Sequence, residues 1–204
     1  MQETVARRSN QQRREQTIEA LLSAARALFL AKGFAGTATP EIVGAAGVTR
    51  GALYHHFEDK KALFRAVIDA EMAAVALEIE RATPPALPPF EALIAGGRAF
   101  FAAMAQPGRI SLLLIEAPAV LGFEELAALD RRHGGRTLTE GLDAAIKAGV
   151  LRELPVEPLA LMLSALYDRG ALALAAGQNI DEIQGVIEAV LGGLRRDGSV
   201  HVHN

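Results

Sequence analysis

Residues 39–57 read TPEIVGAAGVTRGALYHHF, and this stretch decides the fold. Thr39, followed by a proline and an acidic residue, has the composition of a helix N-terminus, with Thr39 as the capping residue. Gly47 should end this first short helix, and Thr49 should cap a second one of about two turns. Two short capped helices joined by a tight glycine turn form a helix-turn-helix, whose second helix can enter the major groove of DNA.

The two short helices have an apolar face and a polar face. The apolar positions, spaced to pack against a preceding long helix, are Ile42, Ala46, Val48, Leu53 and Phe57. The second helix also offers Arg50, Gly51, Ala52, Tyr54 and His55. Small side chains allow a helix to approach bases closely, whereas hydroxyl, imidazole and guanidinium groups bind phosphates or base edges. The polar face therefore suits DNA.

The longer pattern around this motif resembles the TetR family (TetR/AcrR-like) of bacterial transcriptional regulators, most strongly over residues 14–70. The matching residues are Gly33, Phe34, Thr37, Ile42, Ala46, Gly47, Val48, Gly51, Leu53, Tyr54, His56, Phe57, Lys60 and Leu63. The resemblance implies an all-α protein with an N-terminal three-helix DNA-binding domain and a C-terminal helical bundle for effector binding and dimerisation. It also implies a palindromic double-stranded DNA operator, an unidentified small-molecule effector and a homodimer as partners.

The family's DNA contacts carry over to specific positions of this chain. The DNA-binding residues that the resemblance implies are Thr39, Thr49, Arg50, Gly51, Ala52, Tyr54, His55 and Lys60. Thr39, Tyr54 and Lys60 would contact phosphates, while the first turn of the second helix would reach the bases. A structural role remains open for several of them, because both threonines are helix caps in any case and Gly51 could serve only helix packing. The arginines at 7, 8, 13 and 14 form either a solvated tail or an arm on the DNA.

The apolar periodicity predicts about nine helices and almost no strand. Their expected bounds are about 11–31, 39–46, 49–56, 60–82, 89–105, 109–121, 123–148, 157–176 and 181–196. We expect a DNA-binding domain over 12–62, with the helix-turn-helix at 39–58, and a C-terminal domain over 63–196. The ends, 1–11 and 197–204, are expected to be flexible tails.

Two further sets of residues are predicted in the C-terminal domain. Apolar and aromatic residues at helical spacing, with two polar ones, could line an effector pocket, although such a stripe is more often plain core. The pocket candidates are Phe100, Phe101, Met104, Leu113, Met162, Leu166, Tyr167 and Arg169. The last two helices resemble the family's dimer-forming pair, or else pack only within the monomer. The dimer candidates are Leu163, Leu174, Ile183, Ile187, Val190 and Leu194.

Charge and composition agree with this interpretation. Residues 1–65 hold ten Lys/Arg against six Asp/Glu, whereas the remainder holds eleven against eighteen, which places the basic charge beside the DNA-binding motif. The chain has no cysteine, and its five histidines have no metal-ligand spacing, so we predict neither cofactor nor metal. No nucleophile elbow, P-loop or dinucleotide fingerprint is present, which argues against an enzyme.

The sequence therefore predicts a DNA-binding regulator, most readily a repressor that a small molecule releases from its operator. The alternatives are an activator, a regulator without an effector and, less readily, an enzyme that modifies a small molecule. The polar N-terminus lacks the apolar segment of a signal peptide, and apolar runs such as residues 112–115 are far too short to span a bilayer. We expect a cytoplasmic protein.

Overall fold

The computed structural model describes the backbone of residues 2–196 and the side chains of residues 10–196. The helices of this part of the chain fall into two compact units. One comprises the described residues up to Ala70 together with Ser111–Phe123, and the other Glu71–Ile110 together with the described residues from Glu124 onward. Within the described range no strand forms beyond an isolated bridge between Leu151 and Arg195, so the predicted all-α fold is confirmed.

The first unit begins with α1 (Gln2–Gly36). The helix therefore begins nine residues before the expected start at residue 11, because Glu, Ala, Arg and Gln are good helix formers that need no apolar stripe. Non-helical angles at Gly33 (φ 70°) interrupt α1 where the sequence predicted its end. The side chains of Arg7 and Arg8, like the tail expected at 197–204, lie outside the described residues.

Three more helices complete the predicted motif: α2 (Thr39–Ala46), α3 (Arg50–His56) and the start of α4 (Lys60–Ala82). Gly47 adopts the left-handed conformation (φ 66°) that the turn requires, and the Asp59 carboxylate caps α4 by accepting the Ala62 N–H at 2.7 Å. The rings of Phe29 and Phe64 meet edge to face, 5.1 Å apart, in the core of this unit.

A π-helical segment, Ser111–Glu116, also belongs to the first unit and continues directly into α6 (Ala117–Leu121). The sequence predicted one plain α-helix over 109–121. Apolar spacing cannot separate the two geometries over so short a stretch, because both bury one side of the segment.

The second unit contains the latter part of α4, α5 (Pro89–Met104), α7 (Phe123–Asp130) from its second residue onward, α8 (Gly134–Lys147), α9 (Val156–Ala175) and α10 (Ile180–Gly192). Arg109, only 6% exposed, connects α4 and α5 in this unit. Its guanidinium donates to the carboxylates of Glu71 (3.0 Å) and Glu78 (3.1 Å) on α4 and to the carbonyl of Ala103 on α5. A buried charge satisfied on three sides holds α4 against the end of α5.

The single helix expected over 123–148 is wrong, because the chain breaks at residues 131–133. The carboxylate of Asp130 accepts the N–H of Gly135 and so restarts the chain as α8. A Cβ at position 135 would lie 2.7 Å from Asp130 Oδ2. Glycine is required for this close approach, and the Gly134–Gly135 pair was the local signal of the break.

One helix among the described residues, α9, has the length and composition of a membrane span, with a mean hydropathy of 1.2 over its apolar window. The core helices of soluble proteins can have the same length and composition. The charged residues Asp168 and Arg169 also lie within α9. Its apolar character reflects packing on one side and an uncovered apolar stripe on the other.

Candidate functional site

The predicted recognition helix α3 is anchored by one buried residue and otherwise exposed. Leu53 is fully buried, while Arg50, Gly51, Tyr54 and His55 are all exposed and Ala52 is partly so. Thr49 caps the helix as predicted, accepting the Ala52 N–H at 3.2 Å. The structure thus presents the polar face that the sequence analysis assigned to DNA.

The guanidinium of Arg50 lies 5.4 Å above the centre of the Tyr54 ring. This cation–π contact partly orders an otherwise free side chain, which lowers the entropy lost when Arg50 binds a base or phosphate. The adjacent rings of His55 and His56 lie 5.0 Å apart rather than pointing away from each other. Burial, followed by the charges of His55 and Arg14, lowers the pKa of His56, so its neutral form is favoured.

Thr39 does not cap α2, contrary to the prediction. The helix begins at Thr39, and Ala38 occupies the capping position with an extended backbone. Glu41 supplies the missing interaction, because its carboxylate accepts the Ala38 N–H at 3.0 Å and pairs with Lys32. The hydrogen bond from Lys32, and after it the bond from the Ala38 N–H, lower the pKa of Glu41 below its ordinary value. Thr39 remains half-buried at the start of α2, and a direct role in capping is wrong.

Lys60 is turned inward rather than presented to a phosphate. Its ammonium donates to the carbonyls of Phe34 (2.7 Å) and Thr37 (2.8 Å) and lies 4.2 Å above the Phe34 ring. Phe34 lies in the last turn of α1 and Thr37 directly after it, and a cation is electrostatically favourable at this end of a helix. Lys60 therefore closes the three-helix unit, and two of its three donors are not available to DNA in this structure.

Glu116, the last residue of the π-helical segment, contacts the same corner of the first unit. Its carboxylate accepts the Phe34 N–H at 2.8 Å. A Cβ added to Gly33 would lie 3.3 Å from Glu116 Oε1, so the left-handed glycine also leaves room for the carboxylate. This contact of Glu116 could not be predicted from the sequence, because its partner lies 82 positions away in the chain.

The second unit encloses a cavity of about 420 Å³, a size typical of small-molecule sites. Residues from α4, α5, α7, α8 and α9 line it, and its walls are mainly apolar, including Leu93, Phe100 and Leu138. The absence of a side chain at Gly96 leaves space beside Ile79 and Thr83, where a Cβ would lie 3.5 Å from each of them. The cavity is a candidate binding site for an organic molecule.

Two carboxylates, Asp130 and Asp168, stand in this apolar wall. Burial, followed by the nearby charge of Asp130, raises the pKa of Asp168 to about 7. Burial also raises the pKa of Asp130, which the Gly135 N–H opposes. Tyr167, 7% exposed, has its pKa raised to about 12, mainly by burial and secondly by the charge of Glu188. The cavity therefore holds acidic groups whose charged forms are poorly solvated.

Both parts of the chain match known protein-family models. Residues 21–67 match the model of the N-terminal domain of bacterial regulatory proteins of the tetR family. Residues 90–194, more than half of the chain, match the Tetracyclin repressor-like C-terminal domain. The chain belongs to the TetR family. This family comprises bacterial regulatory proteins, and the resemblance found in the sequence is confirmed.

Curated TetR-family relatives are similar over part of their length. The chain is 49% identical over 53 residues to the HTH-type transcriptional repressor BepR of Brucella suis, covering 26% of this chain and 25% of BepR. It is 39% identical over 74 residues to the HTH-type transcriptional regulator AcrR of Shigella flexneri, covering 36% and 34%. The A-factor receptor protein of Streptomyces griseus is 35% identical over 92 residues, covering 45% and 31%. The matches span about a third of these proteins or less.

Solved TetR-family structures cover nearly the whole chain. A TetR-family transcriptional regulator from Pectobacterium atrosepticum superposes with a TM-score of 0.69 at 28% identity, covering 90% of this chain and 96% of that one. A tetR family transcription regulator from Shewanella sp. PV-4 gives a TM-score of 0.72 at 21% identity, covering 88% and 98%. The second likeness establishes the fold alone.

Most residues predicted to line the effector pocket of this TetR protein lie elsewhere. Phe100 and Tyr167 line the cavity as predicted. The core residues Phe101, Met104 and Leu113 are at most 3% exposed and do not line it, whereas Met162 is 62% exposed on the surface. Leu166 and Arg169 are also outside the lining, with Arg169 exposed. Helical spacing marked apolar residues correctly but could not distinguish core, cavity and surface.

The predicted dimer face also needs correction. Leu163 and Ile187 are at most 4% exposed and pack within the chain, so they cannot form a surface with a second copy in this structure. Leu174, Ile183 and Leu194 are partly buried. The large apolar residues exposed on α9 and α10 are Leu161 (58%), Met162 (62%), Ile180 (41%), Val186 (60%) and Val190 (42%). The exposed apolar residues thus lie on the predicted pair of helices but, Val190 apart, are not the predicted residues.

Proposed function

We propose that this TetR-family chain acts in the cytoplasm as a homodimeric repressor that binds a palindromic operator and releases it when a small molecule occupies the cavity. The observation that carries the proposal is the exposed polar face of α3 above the buried anchor Leu53. A capped two-turn helix with Thr49, Arg50 and Tyr54 outward has the shape and chemistry for the major groove.

The DNA-contact set that we propose is Thr49, Arg50, Gly51, Ala52, Tyr54 and His55. Arg50 is the candidate for base reading, because a guanidinium can donate two hydrogen bonds to a guanine. Tyr54 is the candidate for a phosphate contact through its hydroxyl. Lys60 is left out because its ammonium is engaged by two carbonyls. Thr39, half-buried at the start of α2, remains a candidate for a phosphate contact through its hydroxyl or amide.

The exposed apolar side chains of α9 and α10 support dimerisation. Leu161, Met162, Val186 and Val190 are large enough to seed an interface, and the small residues between them allow close helix crossing. A two-fold dimer that reads successive major grooves requires its recognition helices about 34–36 Å apart. This spacing is the quantity that a bound effector would alter.

The continuous helix α4 offers a route for that alteration. Its residues from Lys60 to Ala70 belong to the first unit, and those from Glu71 belong to the second, where Ile79 and Glu80 line the cavity. A ligand can favour one conformation of α4 from Glu71 onward. Because the helix is uninterrupted, the same ligand then shifts the conformational equilibrium of residues 60–70, which belong to the DNA-binding unit.

The test is DNA selection followed by binding measurements. Duplexes selected from a random pool by the purified chain should contain an inverted repeat, and sedimentation should show two chains per duplex or a multiple of two. Arg50→Ala should then lose about tenfold or more in affinity for the selected site and relax the preference at one position of each half-site. Binding to all duplexes alike, or one chain per site, would contradict the proposal.

A second variant separates dimerisation from DNA contact. Val186→Glu places a charge on the exposed stripe of α10, far from α3 in sequence, and should yield monomers with weak operator affinity. Glu182→Gln, on the same helix and also exposed, serves as the control and should remain dimeric. Normal dimers of Val186→Glu would show that the interface lies elsewhere.

A further inference from the structure

The charges at the cavity in the second unit are of one sign. Its lining includes Glu80, Asp130, Glu140 and Asp168, and no Lys, Arg or His. Arg136 stands at the rim, where it forms ion pairs with both Glu80 and Glu140. The two glutamates are thereby compensated, which leaves the aspartates to set the electrostatics of the interior.

The two aspartates differ in their partners. Asp130 accepts the Gly135 N–H and has His133 and Arg131 nearby, so its charge is partly balanced. Asp168 has neither a hydrogen bond nor an ion pair with any residue in the described part of the chain, and its neighbour Asp130 is of like charge. A carboxylate set in an apolar wall without a partner is costly unless a cation or donor arrives.

Tyr167 provides a second, independent indication of a ligand. It is 7% exposed, and its hydroxyl has no hydrogen-bond partner within the described residues. The ring lies so close to Gly97 that a Cβ there would be 2.9 Å from Tyr167 Cε1. Gly97 on α5 thus leaves the space that the Tyr167 ring occupies at the cavity wall, where its hydroxyl has no partner among the described residues.

Phe100 completes the site. Its ring stands 5.6 Å from that of Tyr167 in an edge-to-face pair, and both residues line the cavity. Aromatic faces attract cations as well as apolar groups. A ligand with a cationic head and an apolar, partly aromatic body would therefore find a matching surface for each part.

We propose that the cavity binds an organic monocation: an apolar body that fits a volume of about 420 Å³ and bears a protonated amine, which pairs with Asp168 and reaches the Tyr167 hydroxyl. This inference rests on the proposed function, in which the second unit binds a small effector. A carboxylate or phosphate ligand would meet Asp130 and Asp168 with like charge. A metal ion is not favoured, because no group of three metal-ligating side chains exists among the described residues.

Two dansyl probes of nearly equal size test the ligand class. Dansylcadaverine carries a primary ammonium, and dansyl-6-aminohexanoate carries a carboxylate on a similar chain. Titrated into the full chain without DNA, with dansyl fluorescence as the readout, the ammonium probe should bind at least about tenfold more tightly. Equal affinities, a preference for the carboxylate probe, or no binding of either probe would overturn the proposal.

Variants locate the preference in the cavity. Asp168→Asn should reduce the preference for the ammonium probe to about twofold or less without weakening the carboxylate probe, and Asp168→Glu should retain it. Asp143→Asn is the matched control, because Asp143 lies on α8 outside the lining and pairs with Lys147. A preference that survives Asp168→Asn would place the cation elsewhere and overturn the assignment.

Operator binding by the same preparations separates this proposal from the one on which it rests. If a selected duplex is still bound while the ammonium probe shows no preference, the ligand class is wrong and the regulator function stands. If the unmodified chain binds no selected duplex, the proposed function is contradicted, whatever the two dansyl probes show.

Discussion

Replacing Asp168 by asparagine should make the ligand-free protein more stable at neutral and alkaline pH. The pKa of Asp168 is raised from 3.8 to about 7 in the folded chain, first by burial and then by Asp130. Between about pH 4 and pH 7 the folded state therefore holds a proton that the unfolded state has released, so the free energy of unfolding falls as pH rises. Above pH 7 the penalty is constant, and Asp168→Asn removes it.

The size of this effect follows from the shift. About three pKa units correspond to about 4 kcal/mol, since each unit is worth about 1.36 kcal/mol. With a urea m-value of about 2–3 kcal/mol/M, the denaturation midpoint of Asp168→Asn should rise by about 1–2 M at pH 8 and coincide with that of the unmodified chain near pH 4. The surface variant Asp143→Asn should show no such pH-dependent gain. Equal midpoints at pH 8, or a gain of the same size at pH 4, would refute the reasoning.

Substitutions at three further positions test contacts in the two units by urea denaturation and circular dichroism. Lys60→Met, which keeps the alkyl chain but loses two charge-assisted bonds to carbonyls, should cost about 1–3 kcal/mol of unfolding free energy, and an unchanged midpoint would restore Lys60 to the candidate DNA contacts. Glu116→Ala, which orphans the Phe34 N–H, should cost about 1–3 kcal/mol, whereas Glu116→Gln keeps an acceptor and should cost less. Gly97→Ala should cost about 1–3 kcal/mol by displacing the Tyr167 ring, and a neutral result would show that the ring has room to move.

The DNA-binding motif could be predicted because its determinants are local in the chain. Thr49 caps α3 by accepting the N–H of Ala52, only three positions further on. Gly47 forms the turn between α2 and α3, which are neighbours in the sequence. Lys60 shows where this kind of reasoning stops. Its carbonyl partners lie 23 and 26 positions earlier, and only the packed unit brings them within reach, so a lysine next to the motif was assigned to phosphate.

The cavity could not be predicted, because five helices from distant parts of the sequence supply its walls. Periodicity identifies the buried side of each helix but not how closely the helices pack. Met104 and Phe100 were therefore both predicted to line the pocket, although only Phe100 does so. A local signal did exist. Asp168 interrupts an apolar helix, and the Gly96–Gly97 pair lies in the interior of another, where glycine weakens a helix unless space is needed.

The π-helical turn gives the segment from Ser111 to Glu116 an unusual tolerance of deletion. A π-helix closes its hydrogen bonds over one more residue than an α-helix, so removing Leu114 would let the segment return to α geometry with Glu116 still directed at Phe34. The same deletion in α3 would instead rotate every following side chain by about 100° and carry Tyr54 off its face. Shortened homologous sequences should therefore lose their residue at this turn.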